Sequence, residues 1–107
     1  MEQATLRIIM EPEKPAAIEK VLAPVLEAIP AQLTSTETYA KGGTDALLKL
    51  TIPDTTWPEH VMELIRIAQY LGYGWHISGS IDDEISLTCE KFRFTGIRWA
   101  NIEASRD

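Results

Sequence analysis

Hydrophobic and polar residues alternate along this chain with two different periods, and the switches between them divide it into elements. From Thr5 to Met10, Leu6, Ile8 and Met10 fall on one side and Thr5, Arg7 and Ile9 on the other, the two-residue period of a strand. Glu11 and Pro12 end it. Pro15 stands where a first helical turn tolerates proline, and Ile18, Val21, Leu22, Val25, Leu26 and Ile29 follow at helical spacing. That stripe predicts a first helix, kinked or split at Pro24, where a backbone donor is missing, and closed by Pro30.

Leu33 to Tyr39 is mostly Thr, Ser and Glu, which predicts an extended edge strand with little to bury. Lys41-Gly42-Gly43-Thr44-Asp45 reads as a turn, since it lacks the spacing and the following Lys-Ser/Thr of a phosphate-binding loop. Beyond it Ala46, Leu48, Leu50 and Ile52 alternate with Leu47, Lys49 and Thr51, so the two runs are expected to pair as a hairpin. A second helix starts at Thr56, Pro58 and Glu59, which supply a capping hydroxyl, a first-turn proline and a carboxylate near the cap. Its expected buried stripe is Val61, Leu64, Ile65, Ala68 and Leu71, with Gly72 or Gly74 as the stop.

Trp75 to Ile81 reads as a strand and Asp82-Asp83-Glu84 as the turn after it. Ile85, Leu87 and Cys89 against Ser86, Thr88 and Glu90 then give the clearest alternation in the chain. The phase breaks there. Strict continuation would set Phe92 and Phe94 opposite the core, so either a bulge near Glu90 and Lys91 restores the register or those rings lie on a second surface. Gly96 permits a bend, and Ile97, Trp99 and Ile102 form a last short segment expected to close the core, with a free tail from Ser105.

Strand, helix, two strands, helix, strand is the split βαβ plan of ferredoxin-like α+β domains, here with an extra C-terminal strand or two and both helices on one face of an antiparallel sheet. No linker or repeat interrupts the 107 residues, so a single domain over 1–107 is expected. The other sheet face would carry Arg7, Lys49, His76 and Thr88, and must be solvated, packed on a partner or covered by the C-terminal segment.

Charge narrows the partners. Ten basic against sixteen acidic side chains leave a net charge of -6, which repels phosphate backbones and attracts basic proteins. Lys91-Phe92-Arg93-Phe94 interleaves cations and rings as single-strand nucleic-acid binders do. In RNA-recognition domains of this topology, however, the rings stand on the central strands, here the first and third, whose outward residues Thr5, Arg7, Ile9, Leu47, Lys49 and Thr51 include none. Nucleic acid is therefore not the expected partner. No apolar run approaches the roughly 18 residues of a membrane helix. The N-terminus also lacks the layout of a signal peptide, so a cytoplasmic protein with no membrane partner is expected.

Candidate chemistry is sparse. Cys89 stands alone, which excludes an intrachain disulfide, and its place in an alternating strand makes it a small buried hydrophobe. Glu59, His60 and Glu63 come nearest to a metal site, yet carboxylates at a helix start are favoured by the dipole, and the group reads as a solvated cluster. His76 reads as a hydrogen-bonded sheet residue, and no local signature joins Cys89 or a serine to a base. Neither an enzyme nor a cofactor or metal is expected.

What remains is surface. Three consecutive acids on a tight turn present a charged knob to a basic partner. Asp82, Asp83, Glu84 and Glu90 are the candidate contact carboxylates, with Trp75 and Phe92 as aromatic anchors. In size, acidic balance, single α+β domain and lack of catalytic signatures the chain resembles small bacterial immunity proteins, including those of contact-dependent growth-inhibition systems. The resemblance implies stoichiometric occlusion of a cognate basic toxin, a nuclease or similar, and carries over no individual residue. The alternative is a small ligand-binding or regulatory module that homodimerises through its open sheet face.

Overall fold

Strand parity decides what this molecule buries. The computed structural model describes residues 3–53, 56–80 and 82–106. Along the chain come β1 (Gln3–Met10), α1 (Pro15–Ala28), β2 (Ala31–Thr38), β3 (Thr44–Leu50), α2 (Trp57–Leu71), β4 (Gly72–Tyr73), β5 (His76–Ser78), β6 (Glu84–Cys89), β7 (Lys91–Phe92) and β8 (Ile97–Ser105). Six strands form one sheet in the order β2-β3-β1-β8-β6-β5, with every neighbouring pair antiparallel. Register places Leu6 between Leu48 and Ile102, Ile8 between Ala46 and Ala100, and Leu87 opposite Ile102. These side chains therefore share one face, and they join Leu22, Val25, Leu64, Ile67 and Leu71 of the two helices in a single buried core. Each of the Leu, Ile and Val side chains contributes about 1.5–3 kcal/mol on leaving water.

The α+β expectation holds. β1 and β2 run parallel with β3 between them, joined through α1. The strand after α2 does not return to β1: β5 goes to the far edge, and β6 and β8 meander back until β8 lies beside β1. Length and polarity explain the exchange. β5 is three residues long and exposed throughout, whereas β8 has nine residues and buries Ala100, Ile102 and Ala104.

The helices differ in how well their ends are made. At α2 the Thr56 hydroxyl accepts from the Glu59 N–H at 3.4 Å, and Pro58 sits in the first turn, as the start signal required. Its buried stripe is wider than expected, taking in Trp57, His60 and Ile67, while Ile65 is only half-buried. α1 lacks a side-chain cap at Lys14 and buries little beyond Leu22 and Val25. It is neither split nor ended at Pro24, which lies on the exposed side, and Leu26 also faces outward.

Several C-terminal expectations change. After Cys89 the chain leaves the sheet instead of bulging, and β7 pairs with β4 as a two-stranded ribbon. Gly72 makes this possible, because a side chain there would collide with the Lys91 carbonyl. The Cys89 thiol lies 3.3 Å from the Tyr73 carbonyl and 3.1 Å from that of Lys91, and Phe92 and Phe94 pack half-buried against the core. The last segment is a central strand, and Trp99, odd where Ile102 is even, faces away from the core. The tail is tied at Arg106, whose N–H donates to the Asp83 carbonyl at 2.7 Å. The strand expected from Trp75 covers only His76–Ser78, and its end at Ile81 lies outside the described residues. No helix among the described residues is long and apolar enough to cross a membrane.

Candidate binding face

Helices cover one side of the six-stranded sheet, so the alternate residues of each strand stand on the other, open side. Cross-strand register sorts them into rows. One row runs Lys49, Thr5, Glu103, Ser86, Ser78, and the next Leu47, Arg7, Asn101, Thr88, His76. The third holds Glu37, Asp45, Ile9 and Trp99.

The first row makes an acidic end. Glu84 pairs with Ser105 one step beyond it, and a cleft of about 410 Å³ opens there, lined by Glu84, Glu103 and the hydroxyls of Thr5, Ser78, Ser86 and Ser105. Carboxylates accept only and hydroxyls accept readily, so this cleft is built to receive a donor. Lys49 is the cation of that row, on β3 beside Thr5. The β5–β6 turn forms its rim. The Ser80 carbonyl accepts from the N–H groups of Asp83 at 2.8 Å and Glu84 at 2.7 Å, and the Arg106 guanidinium donates to the Asp82 carbonyl at 3.3 Å. Gly79, at φ 102, supplies the left-handed position. The acidic side chains thus project from a backbone tied on both sides.

Asn101 joins the middle row, its side-chain amide donating to the Ser86 hydroxyl at 2.9 Å and the Thr88 hydroxyl at 3.1 Å. The third row makes an end of opposite character. The β2–β3 turn folds over it, held by Gly43 N–H donating to the Glu13 carboxylate at 2.9 Å, by the Thr44 hydroxyl donating to the Pro12 carbonyl at 2.7 Å, and by the Arg98 guanidinium donating to the Gly42 carbonyl. Gly43 has φ 96, and a Cβ there would collide with the Met10 carbonyl and the Arg98 guanidinium. Beneath the turn lies a groove of about 420 Å³ lined by Arg7, Ile9, Tyr39, Lys41, Asp45, Arg98 and Trp99. Arg7 Nε meets Asp45 Oδ1 at 3.3 Å, whereas Lys41 and Arg98 have no carboxylate partner among the described residues. Ile9 is 6% exposed and pairs in register with Trp99, and both line the groove.

The six candidate contact residues do not form one surface. Asp82, Asp83 and Glu84 stay together at the acidic end. Glu90 lies past the other end of β6, roughly 20 Å away at about 3.3 Å per residue. Trp75 and Phe92 pack on the helix side, and the Trp75 indole N–H donates inward to the Ala68 carbonyl at 2.8 Å. His60 is not solvated: it is 3% exposed and stacks on Trp57 with ring centroids 5.4 Å apart. Glu63 instead pairs bidentately with Arg66 at 3.0 and 2.6 Å, and this bond holds its carboxyl below the usual glutamate range. No cluster able to hold a metal ion occurs among the described residues.

Sequence reasoning missed Glu103, Tyr39, Lys41, Arg98 and Trp99. The signal for Trp99 was present, since its parity opposes that of Ile102. It also changes one premise, because Trp99 puts a ring on the open face of a central strand. Arg98 reaches a turn 56 residues away in sequence, which no local pattern reports. Among known proteins, no family model, curated protein or solved structure matches the chain.

Proposed function

We propose that this is a binding protein acting by stoichiometric occlusion, which seats basic side chains of a partner protein at the acidic end of its open sheet face. The observation that supports this is the cleft lined by Glu84, Glu103 and four hydroxyl-bearing residues, with Asp82 and Asp83 next to Glu84 in the adjoining β5–β6 turn. A Lys or Arg entering it leaves water as it meets carboxylates. Interfacial charge pairs of that kind couple by about 1.5–7 kcal/mol, against about 0.2–1 kcal/mol for exposed pairs. The partner class that fits is a basic toxin, a nuclease or similar, met in the cytoplasm, as for the immunity proteins this chain resembles. The contact residues are Asp82, Asp83, Glu84 and Glu103; Glu90, Trp75 and Phe92 fall outside it.

The test is capture from source-cell lysate and secreted fraction at low and moderate salt, with the wild-type protein and Asp82→Lys/Asp83→Lys side by side. A basic polypeptide retained in equal amount by the wild type alone supports the reading. Equal retention by both proteins removes the acidic turn from the interface.

A second reading, a ligand-binding or regulatory module, is favoured by the groove at the other end of the same face. In either case β1 to α2 is read as the split βαβ core of a ferredoxin-like plan, and the β5-β6-β8 meander as its extension.

A further inference from the structure

The second groove has a composition that the rest of the chain does not lead one to expect. In a protein of net charge -6, it gathers Arg7, Lys41 and Arg98 around a single lining carboxylate, Asp45, which is already paired with Arg7. Glu13 is engaged by the Gly43 N–H, and Glu37, the β2 register partner of Asp45, stands outside the groove lining. Lys41 and Arg98 therefore line the groove without an ion-pair partner among the described residues. Between them the floor is apolar and flat, made of Ile9 and the half-buried Trp99, with Tyr39 at the wall. A volume of about 420 Å³ falls within the roughly 300–1,000 Å³ range of small-molecule sites.

We infer that this groove binds a small aromatic anion, a flat ring bearing a carboxylate or a phosphate. The ring lies against Trp99 and Ile9, where an offset-stacked or edge contact gains beyond simple burial. The anionic group points to Lys41 and Arg98. Arg98 is suited to this role because its guanidinium donates to the Gly42 carbonyl beside the groove and, with five N–H donors, retains others for a ligand. Backbone hydrogen bonds between Tyr39 and both Gly42 and Gly43 hold the turn that carries Lys41. An acidic occupant matches the charge of the groove lining, where three cations face one carboxylate.

This inference deepens the second reading and is independent of the acidic end. The experiment follows ¹⁵N-labelled protein during addition of 2-naphthoate, of adenosine monophosphate, and of the neutral 2-naphthalenemethanol. Saturable shifts at the amides of Ile9, Tyr39, Lys41 and Trp99 with either anion are expected, with the neutral compound about tenfold weaker or more. Which anion is tighter separates carboxylate from phosphate. Lys41→Glu, an exposed change, is expected to weaken the anion about tenfold with the rest of the spectrum unmoved. Equal binding of the neutral compound overturns the anion inference but leaves a ligand-binding module standing. No saturable shift with any compound overturns both. Groove shifts that follow protein concentration alone assign the groove to a second copy and overturn the inference as well.

Discussion

The two ends of the open face are built on the same strands and differ in almost everything else. One end is a cleft of carboxylates and hydroxyls beside a turn tied through Ser80 and Arg106. The other is a cationic, ring-lined groove under a glycine turn tied through Glu13 and Arg98. The difference shows that net charge describes neither end. The polarity of each end is set chiefly by strand residues, Glu84 and Glu103 at one end and Arg7 and Arg98 at the other, to which the β2–β3 turn adds Lys41, while neutral residues such as Asn101 and Thr88 lie between.

The largest separation of the two ends is expected from Gly43→Ala. It places a Cβ against the Met10 carbonyl at a positive φ, so a loss of about 3 kcal/mol or more is expected in denaturant unfolding. At temperatures where the variant remains folded, groove shifts should vanish while those at Glu84 and Glu103 persist. Next in size is Glu84→Lys with Glu103→Lys, which should lower affinity for a basic partner about 100-fold and flatten its salt dependence, with stability changed by less than about 1 kcal/mol. Binding that is unaltered in affinity and salt slope would detach the cleft from the interface.

How much of this was legible in the sequence depends on whether a local period carried it. The alternation around Leu6, Leu48 and Leu87 and the Thr56 start signal predicted the elements and the core, because strand and helix periods are local. The position of β8 was not legible, since a central strand and a closing segment share the same apolar residues and differ only in what lies beside them. The groove could not be read at all. Its members come from β1, the β2–β3 turn, the start of β3 and the start of β8, and only the sheet order brings them together.

A smaller effect tests the link between the ends. Asn101→Leu removes the amide that joins Ser86 and Thr88, and a loss of about 1–2 kcal/mol is expected, together with altered shifts at Glu103. Trp99 should be unaffected in its ligand response if the ends are independent. The smallest effect belongs to a pair remote from both. Glu63 has its folded pKa lowered by Arg66, so its contribution is present above the unfolded glutamate pKa and is lost as pH falls through the folded value. Because the pair is screened by solvent, Glu63→Gln should lower the melting temperature only slightly at neutral pH, and that small difference from the wild type should disappear as pH falls through the acidic window.

The most direct measurement is a paired amide-shift map of the wild-type protein with a hexa-arginine peptide and, separately, with 2-naphthoate. A two-ended open face predicts two disjoint sets of perturbed residues. The peptide should move Ser78, Gly79, Glu84, Ser86 and Glu103, the naphthoate should move Ile9, Tyr39, Lys41 and Trp99, and neither should touch α1. Coincident sets, or shifts confined to the helices, would contradict it.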